Sequence, residues 1–146
     1  MHIDRQDANF RGGPASARAL TTAGLLLALA TACGAFGAHS LKGQLSAERL
    51  QLWDTAVRYH FFQALGLIGV GLTLRALEGG AGVMPAAPAL RAAAALIVSG
   101  IILFSGSLYA LALGAPRALG VLTPLGGLAW IGAWLLFAWG AWRAGT

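Results

Sequence analysis

Four apolar stretches, roughly residues 19–38, 59–77, 90–113 and 124–142, constrain this 146-residue chain more than any other feature in it. Each approaches the ~20 residues that a helix needs to cross the ~30 Å hydrocarbon core of a bilayer. Within lipid every backbone N–H and C=O must find a partner inside the protein, so isolated apolar runs of this length read as transmembrane helices. The expected fold class is all-α, an integral membrane four-helix bundle with an additional short interfacial amphipathic helix between spans one and two. Composition points the same way: 58% of residues are hydrophobic, 10% are charged and the mean hydropathy is +0.71, outside the balance of a soluble globular domain.

Residues 1–17 are polar, carry Gly12, Gly13 and Pro14, and show no apolar periodicity, so they are expected to form a flexible tail. Residues 18–146 then form one four-span transmembrane domain. The net charge of +5 comes from ten basic residues scattered singly, mainly near span ends. Such residues snorkel to phosphate headgroups, and without a Lys/Arg-rich run nucleic acid is not an expected partner. The expected partners are the lipid bilayer and either another integral membrane protein or a second copy of this chain.

Cys33 is the only cysteine, which excludes an intramolecular disulfide and a multi-thiolate metal site. The run Leu29-Ala30-Thr31-Ala32-Cys33 is similar to a lipoprotein cleavage site. Yet Ala30 stands where leucine is usual, and the residues that follow continue the span, so Cys33 reads as a small residue inside a helix.

Alternating span directions bring four segments, 34–42, 53–63, 104–109 and 123–127, to one membrane face, with most of the polar side chains at membrane depth. His39, Lys42, Trp53, Arg58, Tyr59, His60, Gln63, Ser105, Ser107, Tyr109 and Thr123 are the candidates for a pocket or docking end. Gly34, Gly37, Gly106, Gly126 and Gly127 are candidates for close helix packing, as small residues let helices approach in lipid. Residues 39–58 have another texture. Ser46 can cap a helix, Glu48 lies in its first turn, and Leu50, Trp53 and Val57 recur at helical spacing. Asp54 precedes Arg58 by four residues, the favourable order for an ion pair. Trp53 then sits at headgroup depth.

The 78–89 connection, with three glycines and two prolines, reads as a loop. Thr123-Pro124 reads as an N-cap followed by a proline at the first helical position, which starts the fourth helix near Pro124. Trp130, Trp134, Trp139 and Trp142 read as lipid-facing or interfacial aromatics. Arg5, Arg11, Arg18, Arg75, Arg91 and Arg143 on one side outnumber Lys42, Arg49, Arg58 and Arg117 on the other. By the positive-inside rule both termini are expected to be cytoplasmic, in a bacterial inner (plasma) membrane.

Four motifs in order, Gly34-Ala35-Phe36-Gly37-Ala38-His39 with Leu41-Lys42, Trp53-Asp54-Thr55-Ala56-Val57-Arg58-Tyr59, Phe104-Ser105-Gly106-Ser107-Leu108-Tyr109 and Thr123-Pro124-Leu125-Gly126-Gly127, resemble the family called domain of unknown function 423. Its animal members are called transmembrane protein 256. The resemblance covers roughly residues 20–142 and implies a small bacterial inner-membrane or organellar protein with about four spans and no established reaction. Relatives commonly carry a histidine where this chain has Gln63 and a glycine where it has Ala133. The first departure weakens any shared histidine-based metal site.

Three functions fit these residues. The first is a non-catalytic accessory or assembly subunit whose ordered end docks another membrane component. The second is a binding or transport protein for a small or lipophilic ligand, with a pocket at that same end. No acidic residue falls within the hydrocarbon of any expected span, which disfavours an ion-coupled pump. The third is an enzyme or metal protein built on His39 and His60. Two histidines without a third firm ligand, and no paired carboxylates, leave no catalytic residue, metal site or cofactor to expect.

Overall fold

The computed structural model describes residues 13–79 and 86–144, and all of its regular structure is helical. Among the described residues four helices are long and apolar enough to cross a membrane: Pro14–Leu41, Ala47–Glu78, Ala87–Ala112 and Arg117–Ala144. The first comprises α1 (Pro14–Phe36) and a π-helical turn over Gly37–Leu41; the second is α2 (Ala47–Glu78). The third comprises α3 (Ala87–Gly100), a π-helical segment over Ile101–Gly106 and α4 (Ser107–Ala112). The fourth is a 3₁₀ turn over Arg117–Val121 followed by α5 (Leu122–Ala144).

Three boundaries differ from the sequence expectation. The helix starts at Pro14, not after residue 17, because Gly13 is extended and a proline suits the first helical position; the rest of the expected tail lies outside the described residues. No separate short helix stands between spans one and two. Residues 47–58 are instead the opening turns of α2, capped by Ser46 Oγ accepting the Arg49 N–H at 3.4 Å, and no Gly or Pro interrupts the chain before Gly66. The fourth helix enters through the 3₁₀ turn, so Thr123 lies inside α5 and its hydroxyl is free for another helix. Asp54 and Arg58 are both exposed and form no ion pair.

α2 is the axis of the bundle: α1 packs along one side of it and α3 along another, while α5 packs on α3. The main core joins Ala19 and Ala23 of α1, Leu67, Val70 and Leu74 of α2, Leu90, Ile97 and Ile101 of the third span, and Trp130 and Ala133 of α5. A second cluster, Leu41, Trp53 and Ala112, closes the end that holds the four motifs. Large apolar side chains such as Leu25, Ile102, Leu128 and Leu135 point outward, which in lipid costs nothing.

Candidate functional site

Trp53 organises the motif-bearing end. It projects from α2 onto Gly37, where an added Cβ would lie 2.6 Å from the indole, so only glycine admits the ring there. The indole N–H donates to the Cys33 carbonyl at 2.9 Å, and the Gly37 N–H shares that acceptor. Tyr109 of α4 lies against the same indole with ring centroids 4.6 Å apart. Its hydroxyl reaches His60 Nδ1, at 3.4 Å. Trp53 and His60 are seven residues apart and share a face of α2, so a single tyrosine holds the third span against two turns of the second.

Ser107 ties the third span to the fourth. Its hydroxyl donates to the Phe104 carbonyl at 2.9 Å and lies 2.7 Å from Thr123 Oγ1. A serine hydroxyl has one hydrogen to give, so Thr123 donates in that pair. Gly126 lets the two backbones meet: a Cβ there would stand 2.5 Å from Phe104 N and 2.9 Å from the Gly100 carbonyl oxygen. Beside it, Tyr59, Phe104 and Trp130 form an aromatic group with centroids 4.7–5.8 Å apart.

The expected site residues thus divide. Trp53, His60, Ser105, Ser107, Tyr109 and Thr123 lie in helix-to-helix contacts, buried or half-buried, and Gln63 Oε1 accepts the Trp134 N–H at 3.2 Å. Tyr59 is 42% exposed but packed on one side by Phe104 and Trp130. His39, Lys42 and Arg58 are exposed. His39 is therefore outside while His60 is 2% exposed and turned to Tyr109. Among the described residues no three His, Cys, Asp or Glu side chains gather as metal ligands. Of the candidate packing glycines, Gly37 and Gly126 are buried at close approaches, whereas Gly34, Gly106 and Gly127 meet neighbours only at 3.4–4.0 Å.

Two of the four tryptophans read as lipid-facing are not. Trp130 is 4% exposed and donates to the Ile97 carbonyl at 3.1 Å; Trp134 is half-buried on Gln63. Each ring occupies space that a glycine leaves: Trp130 lies over Gly100 and Trp134 over Gly66. Gly66 shares its stretch of α2 with Gly69 and Gly71, so no single glycine in the sequence marked where an indole would pack. Trp139 and Trp142 do face outward.

The profile of the family described as "Protein of unknown function (DUF423)" matches residues 33–127, which runs from the Trp53 acceptor at Cys33 to Gly127. The chain belongs to this family. It is 43% identical over 108 residues to the UPF0382 membrane protein YwdK of Bacillus subtilis, covering 74% of this chain and 82% of the relative. A UPF0382 membrane protein of Staphylococcus haemolyticus is 42% identical over 103 residues, covering 70% and 77%. One from Haemophilus influenzae is 34% identical over 113 residues, covering 77% and 84%. No solved structure matches the chain. With bacterial relatives named membrane proteins and four helices of spanning length, this DUF423 protein is a membrane protein of the lipid bilayer.

Proposed function

We propose that this DUF423 protein is a non-catalytic accessory or assembly subunit that docks another integral membrane protein at its motif-bearing end. It does so in a bacterial inner membrane with both termini cytoplasmic. One observation carries the reading: most of the buried polar side chains of that end bond to another span, with Ser105 Oγ and His60 Nε2 left without a partner among the described residues. Ser107 with Thr123, Trp53 with Cys33, Tyr109 with His60 and Trp134 with Gln63 join all four spans pairwise. Such bonds fix a surface, and the groups left exposed around it are His39, Lys42, Asp54 and Arg58. The opening turns of α2 lie at the membrane interface in this arrangement. With ~48 Å of length at 1.5 Å per residue, α2 exceeds the ~30 Å hydrocarbon core and leaves its polar start outside. A ligand pocket lined by His39, Arg58, Gln63, Ser105, Ser107 and Tyr109 has less support, since Gln63, Ser107 and Tyr109 already have protein partners and His39 and Arg58 are exposed, while Ser105 Oγ alone of the six is buried without one among the described residues.

Photo-crosslinking in native membranes tests this. A crosslinkable amino acid at Lys42 or Arg58 is expected to capture one discrete protein, whereas the same residue at Leu72, exposed on the apolar part of α2, captures lipid. Equal protein capture from both places, or none from either, overturns the docking role.

A further inference from the structure

At the opposite end, α2 holds α1 and α3 apart and leaves a groove of about 560 Å³ between them. That volume lies within the ~300–1,000 Å³ of small-molecule sites. Its floor is Leu67 and Leu74 of α2, and its walls are short side chains, Ala15 and Ala19 on one side and Ala94 and Ala95 on the other. It runs from Ala15 to Thr22 along α1 and from Arg91 to Ser99 along α3, about 10–12 Å at helical rise. Polarity is graded along that length. Arg18 and Arg91 stand at the outer end, near the starts of their helices, and the interior is aliphatic down to the Thr22 and Ser99 hydroxyls.

We propose that this groove seats an anionic glycerophospholipid of the surrounding bilayer, with its phosphate between Arg18 and Arg91 and one acyl chain along Ala94, Ala95 and Val98. Charge selects the occupant. Among the described residues Glu78 is the acidic group at this rim; it lies 3.7 Å from Arg91 and accepts the Ser16 N–H at 3.3 Å. It offsets one guanidinium of the two that line the groove. Arg18 is exposed and steadied by its Nε donating to the Pro14 carbonyl at 3.1 Å, a bond that does not use its terminal N–H groups. Arg91 is 57% exposed. Guanidinium forks match phosphate oxygens bidentately. Entry comes from the bilayer, because Ala95 and Ser99 of the wall are exposed.

Native mass spectrometry of the full chain released from nanodiscs of equal phosphatidylglycerol and phosphatidylcholine tests the site. The wild type is expected to retain one phosphatidylglycerol in preference to phosphatidylcholine. Arg18→Gln with Arg91→Gln is expected to lower that retention about thirtyfold, taking each basic residue near an anionic headgroup at about fivefold. Ala95→Phe fills the groove while keeping both arginines and is expected to abolish retention, which a purely electrostatic contact would not do. Arg117→Gln, at the other end, changes nothing. Equal retention of the two lipids by the wild type, retention unaffected by Ala95→Phe, or an equal loss in Arg117→Gln overturns the proposal.

Discussion

Adjacent glycines in α5 should respond oppositely to the same one-carbon change. In Gly126→Ala the new Cβ meets backbone, 2.5 Å from Phe104 N and 2.9 Å from the Gly100 carbonyl oxygen, with Phe104 Cβ at 2.7 Å. No rotamer relieves a backbone contact, so α5 must move away from the third span. Overpacking of this kind costs about 1–3 kcal/mol. Separation also stretches the 3.1 Å bond from Trp130 Nε1 to the Ile97 carbonyl, worth about 1 kcal/mol. Alanine returns about 1 kcal/mol of helix propensity, which leaves a net loss of about 1–3 kcal/mol. In Gly127→Ala the new Cβ finds only Phe104 Cδ2, at 4.0 Å. Only the propensity gain remains, and stability should be unchanged or up to about 1 kcal/mol higher. Reversible unfolding in mixed dodecylmaltoside–SDS micelles, followed by far-UV circular dichroism, measures both. Trp130 emission should shift to the red in Gly126→Ala alone. Equal stabilities for the two variants, or a Gly126→Ala protein as stable as wild type, would refute a backbone-to-backbone contact at this position.

Other substitutions probe the remaining bonds in the same assay. Gln63→Leu strands the Trp134 N–H and should cost about 1–3 kcal/mol, whereas Gln63→His, which retains an acceptor nitrogen, should recover most of it. A double-mutant cycle of Ser107→Ala and Thr123→Ala should give a coupling of about 0.6 kcal/mol and no more than about 1.7, the range for hydrogen bonds between membrane helices; zero coupling would show the 2.7 Å contact to be idle. Ser105 Oγ is fully buried with no hydrogen-bond partner among the described residues, so Ser105→Ala should raise stability by about 1 kcal/mol; a loss of that size would show the hydroxyl to be engaged.

The number and rough extent of the spans were legible from run length alone, because lipid leaves a long apolar segment few alternatives to a helix. Which face of each helix points inward was not. A soluble helix marks its core face by contrast with a polar one, but α1 and α5 are apolar all round, so hydropathy says nothing of their rotation. That is why Trp130 and Trp134 read as lipid-facing, and why Gly126 and Gly127, one residue and about 100° apart on the helix, could not be told apart. Local chemistry was more informative where it acted within one segment: Ser46 caps α2 as its spacing to Arg49 requires. Thr123 was misassigned for the converse reason. Its side chain looks like a cap in sequence, but its partner, Ser107, belongs to another span. For the motif-bearing end, sequence order placed the four segments together, whereas the division into buried His60 and exposed His39 depends on Tyr109 filling the space between spans two and three.

The unequal burial of the spans bears on where partners can bind. Within their most apolar windows, 39% and 33% of residues in the second and third spans are buried, against 17% in each of the first and fourth. The inner pair therefore has much of its surface committed, and any protein approaching within the plane of the bilayer meets mainly the first or the fourth. The first is tethered at both ends, by Trp53 on the Cys33 carbonyl and by Glu78 accepting the Ser16 N–H, with the side chain of Leu20 packed at Gly71 near the second tether. A partner pulling on α1 thus acts on both the motif-bearing end and the Arg18–Arg91 groove, as one wall of the groove is α1 itself. Were the proposed lipid site and the proposed docking end both to hold, lipid occupancy and protein docking would be linked through the position of a single helix. Each must change the affinity of the other by the same factor if both depend on where α1 sits.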